Sequence, residues 1–331
     1  MRAAVYHRNA DVRIEDVPRP SPREGEVLLK VLASGICGSD VMEWYRIQKA
    51  PLVLGHEVAG VVEESRDPRF SPGERAVATH HIPCNACKYC HAGHHSACAT
   101  LHSTSFHPGG FAEFVLLPQL NVDRGTFLLP EGLTYDEGTF VEPLACALRG
   151  QRLAGLRPGQ SVLVLGSGVA GLLHILLARA LGAGEITATD ISPYRLAAAK
   201  RAGADKVQDA REPLQPHDLV IVCTGALPAA QQALTAVEKG GTILFFAVPR
   251  PEDRLPLPLN DLWKNEVRLL TSYAGPPADM RAALDLLRSR RLQVRDLVTH
   301  RLPLGQAQEG FRLVASAQDS LKVLLYPHGA Q

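Results

Sequence analysis

The sequence predicts a mixed α/β protein in two parts, a turn-broken β-rich N-terminal portion and a doubly wound parallel-sheet domain behind it. Three observations carry the prediction. The chain has 331 residues, about twice a usual domain. Strand-like runs punctuated by Pro and Gly fill the region before residue 150, and from Ser161 onward short apolar runs alternate with helical periodicity. Apolar residues make up 46% against 21% charged, which supplies material for sizeable cores and excludes disorder as a description of the whole. A net charge of +1, with no long run of either sign, points away from nucleic acid and anionic membranes and toward a small-molecule partner.

In chain order, Arg2 to Tyr6, Glu26 to Ala33, Val58 to Glu64 and Ala112 to Pro118 are the N-terminal strand runs. Arg2, His7, Arg8, Asp11 and Arg13 interrupt the opening, so no secretory h-region is read and a cytoplasmic location is expected. Pro158 to Ala178 is uncharged and long enough for a membrane span, but Gly159, Gly166, Gly168 and Gly171 divide it into strand, turn and helix. Strands at Ser161 to Leu165, Glu185 to Thr189, Leu219 to Cys223 and Thr242 to Phe246 alternate with helices near Val169 to Leu181, Ser192 to Arg201 and Ala229 to Val237. That alternation implies βαβ units and a parallel sheet covered on both faces. After Pro276-Pro277 come a helix, about Asp279 to Arg290, the stretch Leu304 to Ala315, and a final strand, Lys322 to Tyr326.

Gly166-Ser167-Gly168-Val169-Ala170-Gly171 fits G-x-G-x-x-G, directly follows a strand run and opens a helix. Gly166 permits the tight turn, Gly168 lets backbone approach a pyrophosphate, and Gly171 lets helix and strand pack closely. The helix N-terminus then offers N–H groups and its positive dipole end to the phosphates. Asp190, nineteen residues after Gly171, would take the adenosine ribose hydroxyls and repel a 2′-phosphate, favouring NAD over NADP. Arg195 pulls the other way, since its guanidinium could pair with such a phosphate. Cys223-Thr224-Gly225 and Ala247-Val248-Pro249 end two predicted strands and should border the nicotinamide, with Ser272 and Tyr273 closing that side.

Seven cysteines are an odd count, and four of them, Cys84, Cys87, Cys90 and Cys98, crowd into fifteen residues. In a reducing compartment that cluster offers four soft ligands for a closed structural zinc site, with His91, His94 or His95 as substitutes for Cys98. Cys37-Gly38-Ser39-Asp40 and Gly55-His56-Glu57 bring one thiolate, one imidazole and one carboxylate within about twenty residues, the mixed donor set of a catalytic zinc with an open position. A lone Cys near a strand end and a lone His are also ordinary core residues, so spacing alone leaves both readings open. Cys146 and Cys223 read as small, buried and inert.

These motifs, together with Gly109-Gly110-Phe111-Ala112-Glu113 and Glu142-Pro143-Leu144, occur in an order that resembles the zinc-dependent medium-chain dehydrogenase/reductase family, nearest its sorbitol (polyol), threonine and glucose dehydrogenase branch. The resemblance spans almost the whole chain. It implies a GroES-like catalytic domain at 1–148 completed by 277–331, a Rossmann NAD-binding domain at 149–276, two zinc ions per subunit, and a homo-oligomer with a tetramer favoured over a dimer. By the same resemblance Cys37, His56 and Glu57 are ligands of the catalytic zinc. Glu142 stands where relatives either bind the metal or hold its water. Charge counting favours the water role, because a third anionic ligand would make the ion a poorer Lewis acid.

The implied reaction is oxidation of a secondary alcohol by hydride transfer to nicotinamide, with Ser39 receiving the hydroxyl proton. Relatives often carry a relaying histidine a few residues further on, but this chain has Met42 there, so cofactor ribose and water, or Glu57 or Glu142, must serve. Trp44 and Phe111 are candidates for pocket walls or for core plugs alike. Arg46 and Arg149 are the cations a threonine dehydrogenase would need for a substrate carboxylate. A zinc-free enone reductase and a non-catalytic NAD-responsive protein are the remaining alternatives.

Overall fold

Alternating and continuous runs of Val, Ile, Leu and Ala give the chain its sheets, and the glycines and prolines between them set the turns. The computed structural model describes residues 1–329. They form two units, Met1–Ala145 with the chain from Gly275 onward, and Cys146–Ala274.

The first unit is built on a mostly antiparallel sheet. Its strands run in the spatial order Val298–Pro303, Lys322–Tyr326, Val27–Gly35, Glu57–Ser65, Arg75–Ala78 and Thr126–Leu128, with Phe114–Leu117 also pairing with Val27–Gly35. Val27–Gly35 and Glu57–Ser65 are buried along most of their length, so they read as continuous apolar runs. One side of the sheet closes over Val27, Leu29, Val31, Val58, Val62 and Val115. A second core joins Tyr6, Ile36, Phe111, Phe311, Val323 and Leu325. A separate three-stranded sheet of Arg2–Arg8, Asp11–Asp16 and Leu52–Val53 belongs to the same unit.

The second unit is a six-stranded, all-parallel sheet ordered Lys206–Asp209, Ile186–Asp190, Val162–Leu165, His217–Val222, Val237–Phe245 and Arg268–Thr271. Numbered along the chain that order is 3-2-1-4-5-6, the doubly wound dinucleotide-binding arrangement. Helices Val169–Ala180, Pro193–Arg201 and Leu227–Thr235 are the crossovers. The crevice such a sheet offers to a ligand lies where the order reverses, beyond the carboxyl ends of Val162–Leu165 and His217–Val222.

Candidate active site and metal centres

Three neighbouring strands of the first unit deliver the site. Gly35 pairs with Glu57 and Val58 with Ala78, so Cys37 just after one strand, His56-Glu57 at the start of the next and His80-His81 just after the third collect at one end of the sheet. Cys37, His56 and Glu57 each present a ligand atom within 4.8 Å of the others'. Their carriers are locked. Gly110 and Phe111 donate backbone N–H bonds to the carbonyls of Gly55 and Leu54 at 2.9 Å each, which pins the turn ahead of His56. Phe111 itself is fully buried, edge-on to Phe311 with ring centroids 5.8 Å apart, so of its two candidate roles the structure gives the core plug.

Asp40 organises the thiolate–imidazole pair. Its carboxylate is fully buried, accepts the Cys37 N–H at Oδ2 over 3.0 Å, and turns Oδ1 toward His56 Nδ1 at 3.5 Å and Arg46 Nη2 at 3.6 Å. A carboxylate behind one ring nitrogen fixes the ring and leaves Nε2 for a metal. Burial opposes charge on His56, but Asp40 and Cys37 lift its pKa well above the usual histidine range. Arg46 donates from Nε to the Ser39 carbonyl at 2.9 Å and from Nη2 to Ser39 Oγ at 3.1 Å, so the hydroxyl is held from behind by a cation. Trp44 is half-buried, its ring against Tyr45.

Glu57 carries a feature that the motif does not announce. Its Oε2 accepts the ammonium of Lys322, and both side chains are buried. A Cβ on Gly35 would fall 2.1 Å from that same oxygen, so only glycine leaves room for the pair. The carboxylate therefore meets a cation at Oε2 while one of its oxygens also lies within 4.8 Å of the Cys37 and His56 ligand atoms. Glu142, near the start of helix Val141–Ala154, groups with His80 and His81, all three ligand atoms again within 4.8 Å. Burial, reinforced by the positive charge of neighbouring groups, keeps both of those imidazoles neutral.

The cysteine lobe lies in the same unit. Cys84, Cys87, Cys90 and Cys98 converge within 4.8 Å, with Sγ–Sγ separations of 4.0 Å for Cys84–Cys90 and 3.6 Å for Cys87–Cys90. Four sulfurs about 2.3 Å from one tetrahedral zinc stand about 3.8 Å apart, so the lobe fits the ion. Backbone N–H groups of Ala86 and Cys87 point at the Cys84 sulfur at 3.4 and 3.3 Å, and that of Cys84 at the Cys98 sulfur at 3.3 Å. His91 and His94 are exposed outside the sulfur cluster.

In the second unit Gly166 adopts φ +96°, and a Cβ on Gly171 would meet the Gly166 carbonyl oxygen at 1.9 Å, so turn and helix contact both demand glycine. Gly168 caps helix Val169–Ala180 without a side-chain oxygen, which leaves the first N–H groups for a phosphate. The turn is braced from the acidic side: Ser167 N donates to Asp190 Oδ2 at 2.8 Å, and Ser192 N to Oδ1 at 2.9 Å. Arg195 lies with its guanidinium 3.9 Å from where a Gly168 Cβ would be. Ala247 N reaches back to the Val222 carbonyl at 3.0 Å, and a Cβ on Gly225 would be 2.8 Å from the Val248 carbonyl oxygen, so Cys223 to Gly225 and Ala247-Val248 share the carboxyl edge of the sheet. Ser272 and exposed Tyr273 follow the next strand on that edge. Cys146 and Cys223 are part-buried rather than fully enclosed, and burial pushes the Cys223 thiol far up. Arg149, the other cation considered for a substrate carboxylate, is buried.

A thiolate–imidazole–carboxylate locus, a four-sulfur lobe and a phosphate-binding turn in one chain define a zinc-dependent, dinucleotide-using dehydrogenase. Residues 23–124 match the alcohol dehydrogenase GroES-like domain family, and residues 170–289 the zinc-binding dehydrogenase family. The sorbitol dehydrogenase of Bacillus subtilis (strain 168) is 31% identical, with 99% of this chain and 98% of that protein aligned. The structure of alcohol dehydrogenase TADH from Thermus sp. ATN1 superposes with a TM-score of 0.84 at 30% identity, covering 98% of this chain and 99% of that one. A structure from Sinorhizobium meliloti 1021, described as a zinc-binding dehydrogenase bound to NADP, gives a TM-score of 0.88 at 28% identity over 98% and 99% of the two chains. The chain belongs to the zinc-dependent medium-chain dehydrogenase/reductase family, and zinc and a nicotinamide dinucleotide are its cofactors.

Sequence reasoning had no role for three groups in the first unit. Lys322 was read only as the start of a strand, although a lysine opening the apolar run Lys322–Tyr326 is a signal for a buried partner. Asp40 was part of a motif without a function of its own. His80-His81 lies in a loop with no marker except two adjacent imidazoles ahead of the cysteine lobe.

Proposed function

We propose that this protein oxidises a secondary alcohol of a polyol or sugar alcohol to the ketone, with NAD as hydride acceptor. The single observation that carries the reading is the convergence of Cys37, His56 and Glu57 ligand atoms beside Ser39, whose hydroxyl is pinned by Arg46. Cys37, His56 and Glu57 would hold zinc, which would supply Lewis-acid polarisation of the substrate oxygen. Asp40 orients His56, and Lys322 holds Glu57 without removing it from the metal side. Ser39, one lone pair occupied by Arg46, accepts the substrate proton on the other and gives its own hydrogen to a cofactor ribose hydroxyl or to water. The turn from Gly166 to Gly171 would hold the dinucleotide's pyrophosphate. Asp190 favours unphosphorylated ribose and Arg195 remains the group through which NADP would be accepted.

The threonine alternative needs a cation for the substrate carboxylate. Arg46 is engaged by Ser39 and faces Asp40, which argues for an uncharged substrate. A screen of sorbitol, butane-2,3-diol, threonine and glucose with NAD and NADP, read as reduced-cofactor absorbance, tests the reading. Turnover of polyols with NAD is the expected result, and no turnover of any secondary alcohol with either cofactor overturns it. Replacing Arg46 by Gln is expected to lower kcat/KM about tenfold, the worth of one charge-assisted hydrogen bond, with Lys restoring part of the loss.

The same reading places the protein in the cytoplasm as a homo-oligomer, a tetramer in preference to a dimer. Two features support it. None of the seven cysteines forms a disulfide. Helix Leu259–Lys264, ahead of the edge strand Arg268–Thr271, leaves Trp263 80% and Leu259 70% exposed, an apolar surface that a second subunit would cover. Light scattering should report an oligomer for the wild type and a smaller species for Trp263→Glu.

A further inference from the structure

We propose that His80 binds the hydroxyl on the carbon next to the one oxidised, so that the site selects a vicinal diol over a secondary alcohol without a neighbouring hydroxyl. The inference rests on the dehydrogenase reading above and deepens it, naming a group that chooses the substrate rather than one that reacts with it. His80 has no part in the chemistry described so far, yet it stands beside it. Strand Arg75–Ala78 pairs Ala78 with Val58, two residues after His56, and the chain then bends at His80, which brings the two rings to 4.9 Å between centroids.

The ring is fixed on several sides. His81 lies against it with centroids 3.7 Å apart, and Phe106 meets it edge-on at 6.1 Å. Behind it, the buried amide of Asn121 donates to the Thr79 carbonyl at 2.9 Å, and the Ile82 N–H donates to Thr104 Oγ1 at 2.9 Å, so the backbone is tied on both flanks of His80. A polar group held this firmly discriminates, because it cannot relax when its partner is missing. Its chemistry also suits a hydroxyl. A neutral imidazole has one donor and one acceptor nitrogen, and a hydroxyl is both donor and acceptor. At His56 the Asp40 carboxylate faces Nδ1 and fixes the tautomer, whereas Nδ1 of His80 is enclosed without a hydrogen bond, so its tautomer is free to follow a ligand. The residue as a whole is part-exposed, and Nε2 is the polar atom left for a bound molecule. A substrate oxygen placed at the Cys37–His56–Glu57 locus carries its neighbouring hydroxyl on the adjoining carbon, within reach of a ring that borders His56. Glu142 lies on the same side, its carboxylate within 4.8 Å of the His80 and His81 nitrogens, so an anionic neighbouring group would be repelled there and an uncharged hydroxyl would not.

Butane-2,3-diol and butan-2-ol differ by that one hydroxyl, and the ratio of their kcat/KM values cancels any loss common to both. The test measures this ratio for the zinc- and NAD-loaded wild type, His80→Phe and His80→Gln. The expected result is a ratio that falls about tenfold in His80→Phe, the worth of one hydrogen bond, and that recovers in part in His80→Gln, whose amide nitrogen can take the place of Nε2. Binding gives a readout independent of turnover. The visible spectrum of the cobalt(II) protein, titrated with each alcohol, should report a lower Kd for the diol in the wild type and no such advantage in His80→Phe, with two metal ions per chain in both. An unchanged ratio in His80→Phe overturns the inference and leaves the dehydrogenase reading standing, as does loss of a metal ion from that variant, which would make the ring a support of the metal instead. A wild type that oxidises neither alcohol with NAD or NADP overturns the dehydrogenase reading, and the cobalt titration then decides whether His80 still distinguishes the two alcohols.

Discussion

Lys322→Met is expected to destabilise the zinc-stripped protein by about 3–5 kcal/mol, the cost of leaving one charge of a buried pair unmatched. The side chains of Lys322 and Glu57 are 2% and 1% exposed, so water cannot replace the lost ammonium. The ring of Phe140, 5.6 Å from the ammonium, adds an apolar wall to the cavity that methionine would fill without charge. Two measurements separate this account from a general packing defect. Urea unfolding of Glu57→Gln/Lys322→Met should recover most of the loss, because removing both charges leaves neither orphaned. Adding zinc to Lys322→Met should also recover stability, because the ion compensates Glu57 from its other oxygen. A single variant as stable as the wild type without metal would show that the pair is not what neutralises Glu57.

That pair also shows where a single sequence stops being readable. Four strands of the six-stranded sheet were legible because each carries its own apolar run, and the Gly166 to Gly171 turn because its glycines have local steric reasons, whereas the edge strands Lys206–Asp209 and Arg268–Thr271 are short and carry too few apolar residues to read. The four-sulfur lobe was legible because its ligands lie within one short segment. Glu57 and Lys322 are separated by 265 positions, and their meeting depends on Lys322–Tyr326 pairing beside Val27–Gly35, which no local pattern encodes. Phe111 was ambiguous for a similar reason. Its burial is set by Phe311, which arrives from the C-terminal segment. The strands Arg75–Ala78, Thr126–Leu128 and Val298–Pro303 escaped notice because runs of three to six residues, two of them broken by charge or proline, give little periodicity, although the first of them carries the chain to His80. Helix Val141–Ala154 was likewise unread beyond its Glu142-Pro143-Leu144 motif, since only its tertiary setting buries Glu142.

Cys37→Ser is expected to reduce kcat/KM by about 10³-fold, equivalent to about 4 kcal/mol of transition-state stabilisation by a Lewis acid. The oxygen of serine is a hard, neutral ligand at physiological pH, so His56 and Glu57 alone must hold the ion, and bound zinc should fall from two to one per chain at low free metal. The structural consequences should be small. Cys37 is only part-buried, its backbone N–H still reaches Asp40, and the sulfur lobe at Cys84 to Cys98 is untouched. Chelation separates the two ions further. The lobe surrounds its ion with four sulfurs and leaves no open position, whereas the Cys37 site must keep one for substrate, so a bidentate chelator should strip the latter first. Activity should then vanish while one zinc and most of the thermal stability remain, and re-addition of zinc should restore turnover. Full activity in a preparation whose metal content has dropped below one ion per chain would mean that the hydride transfer does not depend on zinc, and that the Cys37, His56 and Glu57 cluster serves only to hold the fold.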